Sequence, residues 1–318
     1  MAPKLVVKRG GATRLQVIAA RRQIGRLHNA RIQVKTITRY HYAACCFIFW
    51  IQKFGWPDAT TLEILAGQIC EYVEWLWDNG FAKSEAGDCL SGIQHFLKVK
   101  RRFPTAWSLF RAWTLLEPPC RAPPIPAEVL FGMAGAASAT GYYNYALVLL
   151  VGFGCFLRTN EAVTLAPCQL HLNAAHSKLV VTLPWTKSAA KRGAVDSVVC
   201  DDVDIVRLVA ALLRRVAPHA PFIPHAAHFH EFVGQLITAV GVDHLNLRFY
   251  SLRRGGATFA FSSGIPMETI IEKGRWNSIA TARIYLNHGL QELSLMTQSL
   301  SSQRLCKRYA WQLVDLLR

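Results

Sequence analysis

The sequence predicts a mostly α protein in two parts: a small helical bundle, then a mainly helical domain that carries a small β-hairpin or sheet. Three observations lead there. Apolar residues recur at helical spacing over most of the 318 residues, as on the inward face of amphipathic helices. Residues 179–183 have the β-branched content of a strand, and 194–199 read as its hairpin partner. Pro118, Pro119, Pro123, Pro124 and Pro126 cluster between two periodic regions. Proline removes backbone donors and resists helix, so a linker over 117–126 divides the chain.

Four helices are expected before the linker. Residues 36–54 set Ile37, Tyr40, Ala44, Phe47, Ile48 and Ile51 on a broad apolar face. Residues 61–79 form the next, with Thr61 as N-cap and Gly80 as the stop. Residues 84–98 space Cys89, Ile93, Phe96 and Leu97 helically, and 107–115 supply the fourth. This domain covers 31–116, after an N-terminal basic arm at 1–30. Beyond the linker, helices are expected at 125–135, 142–156, 204–216, 230–240, 258–262, 268–273 and 281–287, within a second domain at 127–290. Residues 291–318 add a C-terminal helix with Trp311, Leu313, Val314, Leu316 and Leu317 on an apolar face.

Composition narrows the function. With 52% hydrophobic residues the chain buries a core, and its net charge of +16, from 36 Lys and Arg against 20 Asp and Glu, favours a polyanionic partner. The charge is uneven: no Asp or Glu precedes Asp58, while eleven Lys and Arg do. Nucleic acid is the first candidate and an acidic membrane surface the second. The longest apolar runs, 42–51 and 145–157, are shorter than the roughly 20 residues that span a bilayer, so no membrane partner is expected. Nine scattered cysteines without a C-x-x-C pair argue for a reducing, intracellular compartment and against a zinc finger. His225, His228 and His230 lie close together without a supporting Cys or carboxylate, so they read as a helix-entry or loop cluster rather than a metal site. No metal and no cofactor are expected.

The chemistry concentrates in short motifs. Arg158-Thr159-Asn160-Glu161 follows a buried apolar run, and Thr186-Lys187-Ser188 sits in the hairpin. Tyr250-Ser251-Leu252-Arg253 comes next, then Gly274-Arg275-Trp276, and Tyr285 nine residues later. Arginine suits a phosphate because its planar fork binds two oxygens and stays charged. Indole is a donor only, fit to contact an anionic oxygen but not for acid–base work. Taken singly, each has a bland reading: a surface Arg–Glu helix pair, a core Trp, a core Tyr.

Together these motifs resemble the tyrosine site-specific recombinase (phage-integrase-like) family, and the resemblance covers about residues 125–290. It implies the DNA breaking–rejoining enzyme fold. It further implies a site-specific recombinase or integrase that cleaves and rejoins DNA through a 3′-phosphotyrosyl intermediate. By resemblance Arg158 and Arg253 clamp the scissile phosphate, Glu161 orients the site, Lys187 (or Lys191) protonates the leaving oxygen, Trp276 donates to phosphate and Tyr285 attacks. Tyr309 is the weaker alternative to Tyr285. The family places His where Tyr250 stands; a phenol donates a hydrogen bond but, with a pKa of about 10, is a poor base near neutral pH. The family often has Gly where Arg275 stands.

The first domain resembles the family's core-binding domain at residues 35–40, 64–76 and 92–96. Lys35, Arg39, Lys98, Lys100, Arg101, Arg102, Lys191, Arg192, Arg254 and Arg275 are then expected to contact double-stranded DNA. Two protomers per site and a tetramer on paired sites are implied, with the C-terminal helix packed in cis or docked on a neighbouring protomer. The Tyr250 and Arg275 variants resemble recombinases of eukaryotic mobile elements, which would place the chain in the nucleus; residues 98–102 serve equally as an import signal or a DNA-facing turn. Two alternatives stay open, a DNA-binding remnant without turnover and a type IB topoisomerase or hairpin-forming resolvase; an RNA-binding protein would need stacking aromatics on an exposed sheet, and none is evident.

Overall fold

A computed structural model describes residues 14–24, 32–99, 102–183, 195–218 and 221–317. The chain divides into two compact units, residues 1–120 and 121–318.

In the first unit, α1 (Arg14–Ile24) is a helix within the expected basic arm. The bundle proper is α2 (Val34–Lys53), α3 (Leu62–Asp78), α4 (Lys83–Phe96) and α5 (Pro104–Leu116). On α2 the buried stripe is Ala43, Phe47 and Trp50, while Ile48 faces out, so the apolar face is narrower than the sequence predicts. Thr61 caps α3 by accepting from the Ile64 N–H at 3.2 Å. Gly80, at φ +71°, ends it: the Phe81 N–H bonds back to the Leu76 carbonyl, a turn whose left-handed residue favours glycine. Phe47, Trp50, Ile69, Tyr72, Leu76, Leu90 and Trp113 fill the core.

The second unit is built around α7 (Tyr143–Gly154), buried from Tyr145 to its end. Against it pack α6 (Ala127–Ala139), α9 (Val203–Leu213) and α11 (Ser251–Ser262), and α15 (Leu300–Asp315) packs on α6. The contact with α11 is backbone-close: a Cβ on Gly256 would lie 2.1 Å from the Phe153 carbonyl oxygen, so only glycine fits. The C-terminal helix docks in cis, with Cys306 and Leu313 in the core, while Trp311 remains 65% exposed.

Three strands form one antiparallel sheet, β1 (Leu170–Leu172), β2 (Leu179–Leu183) and β3 (Asp196–Cys200), in that order. Alternate residues of β2 and β3 are buried, as on a sheet with one face to the core. The remaining helices are α8 (Thr159–Val163), α10 (Ala226–Ala239), α12 (Met267–Gly274), α13 (Ile279–Arg283) and α14 (His288–Met296). His225 and His228 sit at the entry of α10, where His228 Nδ1 is 3.0 Å from the Tyr145 hydroxyl. Among the described residues no helix is long and apolar enough to cross a membrane.

Candidate active site

Four segments of the second unit meet at the turn between α7 and α8. That turn needs Phe156 in the left-handed region, at φ +47°. It exposes the Phe156 carbonyl just past the end of α7 and sets Arg158 as the residue that opens α8. Glu161, three residues on, reaches back to the Arg158 N–H at 2.8 Å and to its guanidinium Nη1 at 2.7 Å. A carboxylate in the first turn also suits the positive end of a helix.

Arg253 projects from α11 and is 1% exposed. Its two Nη groups donate to the Phe156 carbonyl and to the Gly274 carbonyl, the latter at 2.5 Å. The Gly274 carbonyl ends α12, where helix carbonyls lack partners, and the Phe156 carbonyl lies two residues past the end of α7; a cation is favoured near both ends. Burial, then the charges of Arg158 and Arg275, push Arg253 down to about 10. The guanidinium lies 4.9 Å from the Trp276 ring centre and 5.2 Å from that of Tyr285, within cation–π range.

Trp276 follows the end of α12 and folds back over it. A Cβ on Gly274 would sit 2.2 Å from the indole, so glycine makes room for the ring. Trp276 packs on Tyr285 with ring centres 4.7 Å apart. Its N–H comes near enough to Tyr285 to favour the ionised phenol, but its geometry falls outside a hydrogen bond, which leaves a buried donor without a partner.

Tyr285 follows α13 and is half-buried. Thr258, fully buried on α11, anchors that stretch: its hydroxyl accepts from the Asn287 N–H at 3.3 Å and donates to the Tyr285 carbonyl at 3.4 Å. The Tyr250 hydroxyl donates to the Tyr285 hydroxyl at 2.7 Å. Burial raises Tyr285, but the Tyr250 hydrogen bond and the Arg253 charge outweigh it and hold Tyr285 below the usual tyrosine value. Burial, then the same hydrogen bond, push Tyr250 up to about 12. The pair is therefore polarised, with Tyr250 keeping its proton and Tyr285 the easier to ionise.

Arg158, Glu161, Tyr250, Arg253, Trp276 and Tyr285 thus come together. Lys187, Lys191, Arg192, Lys100 and Arg101 lie outside the described residues. Lys35, Arg39, Lys98 and Arg102 are exposed in the first unit, but Asp88 holds Arg39 through two bonds of 2.6 and 2.8 Å. Arg254 and Arg275 correct the expectation of DNA-facing side chains. Arg254 is 4% exposed, enclosed by the close packing of α11. Arg275 is drawn inward by Glu161, 2.6 Å from its Nη2, and its side chain is 6% exposed. The sequence carried one signal of this inward arginine: Arg275 replaces a glycine that the resemblance leads one to expect.

Among solved structures, the chain is similar to a XerA recombinase at 16% identity, over 86% of this chain and 96% of that one, with a TM-score of 0.42. It is similar to the Tn1549 transposon integrase in complex with circular intermediate DNA at 12% identity, over 80% and 99%, with a TM-score of 0.48. It is similar to a lambda integrase dimer bound to a core site at 14% identity, over 82% and 74%, with a TM-score of 0.47. These solved structures are of recombinases and integrases. At these scores and identities the likeness carries no chemistry from one protein to the other. No protein-family profile matches the chain, and no curated protein does.

Proposed function

We propose that this protein is a tyrosine recombinase: a DNA strand-exchange enzyme that breaks and rejoins a phosphodiester through a covalent bond to Tyr285. The observation that carries the reading is the convergence on one tyrosine. Tyr285 accepts a hydrogen bond from Tyr250 and lies over the Arg253 guanidinium. Arg253 in turn shares the Phe156 carbonyl with the turn that holds Arg158.

A phosphodiester repels nucleophiles by its own charge, so neutralising its oxygens and aligning the attacker supply much of the rate. Arg158, with a side chain 38% exposed, is the guanidinium open to a phosphate. Arg253 and Trp276 form the buried floor beneath the nucleophile. The Tyr285 phenol gives its proton to solvent, and its oxygen bonds to phosphorus as the bond to the 5′-oxygen breaks. That oxygen takes a proton, assigned to Lys187, and the 3′ end stays on Tyr285 as a phosphotyrosyl ester. Attack by a 5′-hydroxyl of a partner strand reverses the step, with no external energy source needed because the ester keeps the bond energy. Two protomers on each site, and four on paired sites, complete the exchange.

A duplex nicked next to the cleavage point tests the reading, because the short fragment diffuses away and traps the covalent complex. The expected adduct is absent in Tyr285→Phe. A second reading, a DNA-binding remnant without turnover, draws on Tyr250, which stands where the family has an acid–base group and is pushed up to about 12. In that case DNA is bound and no adduct forms.

A further inference from the structure

We propose that Arg275 is a positioning residue that fixes Arg158 through Glu161, and so aims the one solvent-accessible guanidinium among the described residues of the site. The proposal rests on the reading that Arg158 and Tyr285 act on a phosphodiester.

Glu161 is the hub. One of its carboxylate oxygens accepts from Arg158 Nη1 at 2.7 Å. The other accepts from the Arg158 N–H at 2.8 Å and from Arg275 Nη2 at 2.6 Å. Arg158 alone could leave Glu161 free to turn about its side-chain bonds; the contact from Arg275 on the far side removes that freedom. The Arg275 carbonyl also lies 3.5 Å from Arg158 Nη2, so the same residue meets Arg158 twice, once directly and once through the carboxylate.

The backbone carries an independent sign. Arg275 sits at φ +55°, ψ +43° at the C-terminal end of α12, with its N–H bonded to the Glu272 carbonyl and the Trp276 N–H to the Ile271 carbonyl. Such a turn favours glycine, and a non-glycine residue there is strained. An arginine that accepts this strain and then buries its charge gives up stability that glycine would keep. Among the described residues its Nε and Nη1 have no hydrogen-bond partner, while its Nη2 bonds to Glu161 at 2.6 Å and lies 3.5 Å from the Phe156 carbonyl, so Glu161 is the carboxylate it hydrogen-bonds. Burial lowers the pKa of Arg275, and Glu161 opposes that shift.

The side chain is too enclosed to be a surface contact for DNA. Arg158 has a side chain 38% exposed, against 6% for Arg275 and 10% for Glu161. The three therefore form a graded set: a buried arginine, a nearly buried carboxylate and an accessible arginine.

The test uses the full-length protein, single-turnover cleavage of a nicked duplex, and DNA affinity measured against salt. Arg275→Gly removes the side chain and relieves the left-handed strain, so the fold is preserved by the same change that breaks the contact. Cleavage is expected to slow by about 100-fold, the scale of a small misplacement of a reacting group, while DNA affinity and its salt dependence stay as in the parent. Arg275→Lys, which can still reach Glu161, recovers part of the rate. In Glu161→Gln the Arg275→Gly change adds little, because the two act in series. The proposal is overturned if Arg275→Gly cleaves within about twofold of the parent, or if it weakens DNA binding with a salt slope smaller by about one, the mark of a direct phosphate contact. Trapping that survives Tyr285→Phe sinks the functional reading itself, and is told apart because the parent's adduct then maps to another residue.

Discussion

The Tyr250 hydroxyl donates a hydrogen bond to the Tyr285 hydroxyl across 2.7 Å. The direction matters. Tyr250 is pushed up to about 12, while Tyr285 is held below the usual tyrosine value. A residue that keeps its proton is a poor base, yet it is a good donor to a phenolate. On the proposed reading, the phenol at 250 stabilises the charged nucleophile instead of accepting its proton.

Tyr250→Phe removes that donor and little else. A hydrogen bond to a charged group is worth about 1.5–3 kcal/mol, so cleavage near neutral pH should fall on the order of 10- to 100-fold. The sign of the pH effect follows. Cleavage rises with pH as Tyr285 ionises, and its depressed pKa brings that rise to lower pH. Losing the donor raises the pKa, so the rate–pH curve moves to higher pH and the two proteins converge in strong alkali. A curve lowered equally at every pH contradicts this role.

Arg253→Met tests the capping of two helices. The Gly274 carbonyl loses its partner in a buried place, and the Phe156 carbonyl keeps Arg275 Nη2 at 3.5 Å. A buried acceptor left unsatisfied costs about 1–3 kcal/mol, so the loss should reach roughly 2–5 kcal/mol in a denaturant melt. A variant as stable as the parent shows that other donors replace the guanidinium.

Gly256→Ala tests the closeness of α11 to α7. The added carbon meets the Phe153 carbonyl at 2.1 Å, a backbone atom that cannot swing aside. A cost of about 3 kcal/mol is expected. For a unit of this size that lowers Tm by roughly 6–12 °C, read by thermal melting.

The basic residues of the first unit should not contribute equally to DNA affinity. Lys35 is exposed, whereas Arg39 is neutralised by Asp88. Lys35→Ala should reduce the slope of log Kd against log salt by about one. Arg39→Ala should change it less. Equal slopes for the two variants mean that Asp88 releases Arg39 on DNA.

Much of this fold was legible because local signals agreed with burial. Thr61 caps α3 as its position before an apolar run predicts, and β2 runs over the same five residues as the expected strand. The site motifs were legible too, as Arg158, Arg253, Trp276 and Tyr285 meet although they are distant in sequence. Several features escaped, among them the break at 297–299 that divides the expected C-terminal helix into α14 and α15. The start of α11 was hidden because Arg253, Arg254, Gly255 and Gly256 break the apolar period, the two glycines being there for close packing on Ile125 and Phe153. The strand β1 is only three residues long, below what alternation can reveal. Arg275 was read as a DNA contact because charge suggests exposure; its burial depends on Glu161, more than a hundred residues earlier.

The central claim is that Tyr285 is the nucleophile, and mapping the trapped complex tests it most directly. The parent protein is incubated with a nicked duplex, digested, and the DNA-linked peptide located by mass spectrometry. The expected result is one adduct, on Tyr285, with none formed by Tyr285→Phe. An adduct on Tyr250 or Tyr309, or one that persists in Tyr285→Phe, contradicts it.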